Sequence, residues 1–211
     1  MSYSVDYKKL FPVGDKLRQE ARALNRLVLD VHETLLQMHE TWDGKRWGEL
    51  ATSWNRLIPL FGETCEFLVE RAPYAIEVDA YNYAVADGVS LGAEPAKTPS
   101  RNIPGDLSIG TEVINLSDEN ATKENQKKYE IYTLFKKIIA SLGEIEGIFN
   151  STSSIWVGPA ADNSRSKFAR SKQNIYDNIT RIQTRVDDCI NNAINDLKSQ
   201  EENADQTSQV F

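Results

Sequence analysis

Ile155-Trp156-Val157-Gly158-Pro159-Ala160 is a tight-turn signal between two long amphipathic segments, and it has a twin at Trp42-Asp43-Gly44. Trp156 lies 114 positions after Trp42, and the same offset carries Gly44 onto Gly158 and Trp54 onto Phe168. Upstream of the turns it pairs Leu17 with Ile131, Ala21 with Phe135, Leu24 with Ile138, Val28 with Leu142, Val31 with Ile145 and Leu35 with Phe149. Both copies step by 4, 3, 4, 3, 4, the apolar seam of a helix packing at a shallow angle on another helix. Downstream, Phe61 falls on Ile175, Leu68 on Ile182, Ala72 on Val186 and Ile76 on Ile190. Each half therefore reads as a helix, a Trp-x-Gly turn and a second helix.

Residues 1–14 read as an irregular lead-in punctuated by Pro12 and Gly14, with Asp15 as the N-cap of a helix running to about Glu40. In the first turn Gly44 tolerates the tight backbone and Trp42 can cover the open end of the hairpin. The second helix carries Leu50, Trp54, Leu57, Phe61, Cys65, Leu68, Ala72 and Ile76 inward. A bend is expected near Pro59 and a kink or break near Pro73, because proline removes a donor and clashes with the preceding turn. From Gly88 to Leu116 periodicity stops and glycine and proline recur, which marks a linker long enough to join two antiparallel hairpins.

Ser117 reads as the next N-cap. Gly143 and Gly147 fall within the third helix and suggest close approach of another helix. Pro159 suits the first position of the fourth helix, which buries Phe168, Ile175, Ile179, Ile182, Val186, Ile190 and Leu197. The polar tail from Ser199 to Phe211 is expected to fray. The resulting fold class is all-α: a four-helix bundle of two antiparallel helical hairpins, each with a Trp-x-Gly turn, forming a single-chain pseudo-dimer. The expected division is a first hairpin over 1–87, a linker over 88–116 and a second hairpin with its tail over 117–211.

Composition narrows the function. The 211 residues carry a formal charge of −7, spread as −4 over 1–87, −1 over 88–116 and −2 over 117–211. That mild acidity argues against nucleic acid and for protein partners. No apolar run is long enough to span a bilayer, and Met1-Ser-Tyr-Ser-Val-Asp-Tyr-Lys-Lys lacks the apolar centre of a cleavable signal peptide. Cys65 and Cys189 could bridge, but their apolar surroundings favour two small buried hydrophobes. His32 and His39 lack the spacing of a zinc-protease helix and read as rim residues, and Asp187-Asp188 lacks the pattern of a calcium loop. Arg165, Lys167, Arg170 and Lys172 read as a solvated basic face, and Trp47 and Trp54 as packing residues, with Trp47 able to anchor a partner helix if partly exposed. No phosphate-binding glycine loop and no nucleophile with a nearby base is found, so the expectation is not an enzyme, with no metal, cofactor or small-molecule substrate.

The paired turns, each between amphipathic helices and each followed 12 positions later by an aromatic residue, resemble the Trp-x-Gly (WXG, Esx-like) family of small helical hairpins exported by type VII secretion systems. Members of that family commonly carry a Tyr-x-x-x-Asp/Glu signal after the second helix, and Tyr83-Ala84-Val85-Ala86-Asp87 fits, with Tyr83 and Asp87 on one helix face. The equivalent positions of the second half are Leu197 and Glu201, so that copy lacks the tyrosine. Family members usually pair as antiparallel dimers, and this chain looks like both partners fused. The resemblance implies Tyr83 and Asp87 beside Trp156 and Gly158, and intramolecular pairing of the hairpins with further oligomerisation open. It also implies an exported substrate, or an adaptor for a larger secreted effector, recognised by the type VII export ATPase. The protein would be made in the cytoplasm of a bacterium and secreted or displayed at the cell surface. The alternative is a non-secreted cytoplasmic helical scaffold.

Overall fold

The computed structural model describes residues 4–42, 45–98, 104–108 and 117–208. Asp43, Gly44 and the linker residues 99–103 and 109–116 lie outside them. The architecture is all-α. The first helix, α1 (Tyr7–His39), starts well before Asp15. Asp6 takes the capping position, accepting from the Lys9 amide at 3.3 Å, and Asp15 sits inside the helix, 3.1 Å from Arg18. The extension comes from Leu10 and Val13, both buried, which continue the seam upstream of Leu17. Pro12 is tolerated because so near the N-terminus it forfeits a single helical hydrogen bond.

Every residue of the 114-offset seam is buried, from Leu17 to Leu35 in α1 and from Ile131 to Phe149 in α4 (Asp118–Ser151). The downstream pairs are buried as well, in α2 (Lys45–Glu66) and its continuation, and in α5 (Pro159–Ser208). α2 passes unbroken through Pro59. The break expected near Pro73 takes the form of a wide π-helical turn over Phe67–Arg71, where the Ala72 amide bonds back to the Phe67 carbonyl, and α3 (Ala72–Ala86) then begins. Pro73 falls in the first turn of α3, where an absent amide hydrogen costs least. α4 is capped as read, with Ser117 Oγ accepting from the Asn120 amide at 3.2 Å. α5 remains helical beyond Ser199 as far as Ser208, because Glu201, Glu202 and Ala204 are good helix formers. A short antiparallel pairing of β1 (Ser4–Val5) with β2 (Trp156–Val157) sets Ser4 opposite Val157 and Val5 opposite Trp156. None of the described helices is long and apolar enough to cross a membrane.

The chain gathers into two compact units. One contains Met1–Val28, Pro59–Ile103 and Lys137–Tyr176, the other Leu29–Ile58, Pro104–Lys136 and Asp177–Phe211. In the first unit Phe67, Phe149 and Phe168 stack in series, with centroids 6.3 and 5.2 Å apart. In the second, Trp54 packs on Phe135 at 6.4 Å and donates its Nε1–H to His32 Nδ1 at 3.1 Å. The same unit holds part of the linker: Leu107 is buried, and its amide and carbonyl are both bound by the Asn55 side chain, at 2.8 and 3.0 Å.

Two glycine readings are reversed. Gly143 and Gly147 have open space where a side chain would project, so no helix among the described residues approaches them closely there. Gly14, read as punctuation, is instead the close approach: a Cβ there would run into Glu77 Oε1, whose carboxylate receives Arg18 Nη2 at 2.8 Å. Gly143→Ala with Gly147→Ala should raise the free energy of unfolding by about 1–2 kcal/mol. Gly14→Ala should lower it despite alanine's better helix propensity. Urea unfolding monitored by far-UV circular dichroism reads both.

Candidate functional site

The second turn is built by backbone bonds that end α4 and restart the chain in α5. Thr152 and Ser153 bond back to Phe149 and Asn150, and the Trp156 amide closes onto Thr152 O at 2.8 Å. Gly158 has φ 146°, a conformation that favours glycine, and its carbonyl accepts the Asp162 amide at 3.0 Å to open α5 behind Pro159. These constraints aim Trp156 inward, where it is buried.

A buried indole needs an acceptor, because an unmet N–H is expensive. Asp79 Oδ2, in the middle of α3, supplies it at 2.7 Å. Arg165 fixes the turn from the other side: Nη2 donates to Trp156 O at 3.2 Å, Nη1 to Thr152 Oγ1 at 3.1 Å, and the guanidinium lies 5.9 Å from the indole ring. The basic start of α5 is thus only partly a solvated face. Lys167 lies 5.1 Å over Phe67 and Lys172 pairs with Glu146 at 2.6 Å. Nothing in the sequence motif marked Asp79; the usable signal was an acidic residue one turn before Tyr83 on a half-buried helix.

Tyr83 and Asp87 lie one and two turns beyond Asp79, at the end of α3. Gly88, at φ 80°, stops the helix there, and the Val89 amide bonds back to Ala84 O at 2.9 Å. Tyr83 is 36% exposed, Val85 48% and Val89 37%, so the helix end presents an apolar surface around an exposed Asp87. The Asp87 carboxylate has no side-chain partner among the described residues. It also stands at a helix C-terminus, where the dipole disfavours negative charge. Tyr83, Asp87, Trp156 and Gly158 therefore all belong to one compact unit, and Asp79 makes the link between the tail helix and the turn.

The first turn differs. Gly44 lies outside the described residues. Trp42 is buried and meets Trp47 edge-on at 6.3 Å, while Trp47 stacks on His39 at 4.7 Å and donates to Ser108 O at 3.3 Å. Trp47 is fully buried, so it is a packing residue and offers no anchor to a partner helix.

Among the described residues no three His, Cys, Asp or Glu side chains are placed to hold a metal ion. Asp187 is instead ion-paired with Lys128 at 3.2 Å. Both cysteines are free and buried. Burial pushes the Cys65 thiol up to about 12, and burial with the nearby Glu49 charge pushes Cys189 to about 11. No protein-family model, curated protein or solved structure matches the chain.

Asp79→Ala should cost about 1–3 kcal/mol by stranding the Trp156 indole, whereas Asp79→Asn, which keeps an acceptor, should retain most of the stability; urea unfolding of the two variants gives the comparison. Both thiols should resist iodoacetamide at about pH 8 in the folded chain and react rapidly in denaturant, because only the thiolate attacks. Mass spectrometry counts the adducts.

Proposed function

We propose that this chain is an Esx-like protein of a type VII secretion system in which two Trp-x-Gly hairpins are fused into one antiparallel four-helix pseudo-dimer. It is exported as a substrate, or escorts a larger effector as a helical adaptor. The hydrogen bond from Trp156 Nε1 to Asp79 carries this reading, because it ties the turn of the second hairpin to the tail helix of the first. That juxtaposition is what a fused antiparallel pair requires.

Tyr83 and Asp87 present the signal to the export ATPase. Their exposure at a helix end, with an acid that the helix dipole disfavours and that has no side-chain partner among the described residues, supports a recognition role. Joining both hairpins in one chain removes the cost of bimolecular pairing. The buried seam fits a protein that acts through its surfaces.

The test is export from a host with a type VII system. The chain should reach the medium only when the ATPase is active, and Tyr83→Ala with Asp87→Ala should remove it from the medium while leaving circular dichroism and melting unchanged. Normal export of the double variant would refute the signal assignment. Retention of the unaltered chain with an active ATPase would favour a cytoplasmic scaffold.

A further inference from the structure

The 114 offset that pairs the two seams also relates the starts of their first helices, and there one pair breaks the apolar pattern. Leu10 of α1 corresponds to Glu124 of α4, and both are fully buried. Asp6 corresponds to Asn120, and Ile155 of the second turn to Thr41 of the first. In the first unit the Asp6 amide donates to Ile155 O at 2.8 Å, beside the buried Leu10. In the second unit Asn120 Nδ2 reaches Thr41 O at 3.5 Å, and Thr41 Oγ1 lies in hydrogen-bond contact with Glu124 Oε1. A buried leucine near one turn is thus matched by a buried carboxyl in contact with a hydroxyl at the other.

Proton accounting shows which form of Glu124 suits this site. Its second oxygen, Oε2, is buried with no hydrogen-bond partner among the described residues. A carboxylate buried with one hydroxyl for company is strongly disfavoured, and an unpaired carbonyl oxygen much less so. Thr41 Oγ1 also lies 3.2 Å from Met38 O, and it has a single hydrogen for the two acceptors. With a proton on Glu124 the bonds close in sequence: the carboxyl O–H donates to Thr41 Oγ1, and the Thr41 O–H donates to Met38 O.

We propose that Glu124 and Thr41 form a proton-operated latch that holds the first Trp-x-Gly turn to the start of α4 when Glu124 is protonated and loosens it when Glu124 ionises.

The surrounding charges favour this operation. On α4, Lys127 acts on Glu124 from a distance while its Nζ is held at 2.9 Å by Gln37 Oε1 of α1, and Lys128 is committed to Asp187 of α5. From the end of α1, His39 is stacked on Trp47 and Glu40 is exposed; at the start of α2, Lys45 is exposed. Burial outweighs Lys127 and the Thr41 hydrogen bond, lifting the Glu124 carboxyl to about 7. A folded-state value above the ordinary 4.5 means that the folded chain binds the extra proton. The stabilisation is therefore complete below the unfolded value and lost as pH rises through about 7.

The test uses the full chain labelled with 13C at glutamate carboxyls, observed by NMR from about pH 4 to 9, with amide exchange at Met38–Trp42 measured over the same range and corrected for intrinsic base catalysis. One carboxyl should titrate near 7 and vanish in Glu124→Gln. Exchange at those amides should be roughly five- to tenfold faster above the transition than below it, the loss of about one hydrogen bond. Glu124→Leu with Thr41→Ile, which copies the residues at the corresponding positions Leu10 and Ile155, should remove the pH dependence and provides a folded control if Glu124→Gln fails to fold. The proposal is overturned if every glutamate titrates in the ordinary range, if the high signal survives in either Glu124 variant, or if Glu124 titrates near 7 while the turn amides keep one exchange rate.

Discussion

Burial of a narrow apolar seam is the constraint on which the rest depends. A helix with apolar residues at steps of 4 and 3 cannot cover them alone, so each such stripe must be buried against other parts of the chain. Leu17 to Leu35 and Ile131 to Phe149 are fully buried in the same spacing, and the aromatic positions Trp54 and Phe168 fill corresponding places. Once those stripes are covered, the turns between helices must close in little space. That is where the tryptophans act: both are buried, and Trp156 brings an indole N–H that takes Asp79 as its acceptor.

The indole requirement turns shape into specificity. Apolar packing alone would tolerate several angular settings of α3, since one alanine or isoleucine face covers much like another. A hydrogen bond from Trp156 to Asp79 does not, and Arg165, spanning Thr152 and the Trp156 carbonyl, fixes the indole from its backbone side. The β1–β2 pairing secures the same segment along its edge. Together they give this turn a rigidity that its few residues could not supply on their own.

Periodicity encodes the features of this fold that are legible in the sequence, and those that depend on a single tertiary partner are not. The seams, Ser117 as a cap, Pro159 as a helix start and the break near Pro73 were legible because each obeys local rules. The start of α1 was not, since Pro12 and Gly14 are local signals against helix that burial of Leu10 and Val13 overrides. The glycines show the same limit. Whether a missing side chain leaves room for a neighbour is a tertiary fact, true at Gly14 through Glu77 and untrue at Gly143 and Gly147. Asp79 and Glu124 were unremarkable acids in the sequence, distinguished only by what the fold sets against them.

The π-helical turn at Phe67–Arg71 has a consequence for how the chain aims its tail. Its wider loop absorbs about one residue relative to an α-helix, and one residue corresponds to about 100° of rotation. Of the buried positions Leu68, Ala72, Ile76, Ala80 and Ala84, the step from Leu68 to Ala72 crosses this turn, whereas the later steps of four lie in regular helix and rotate by about 40° each. The turn therefore works as a phase adjuster ahead of α3, setting the azimuth at which Asp79 meets the indole and the direction in which Tyr83 leaves the surface. A single inserted or deleted residue between Glu66 and Ala72 would preserve the composition of the tail and every contact upstream while pointing its display face elsewhere.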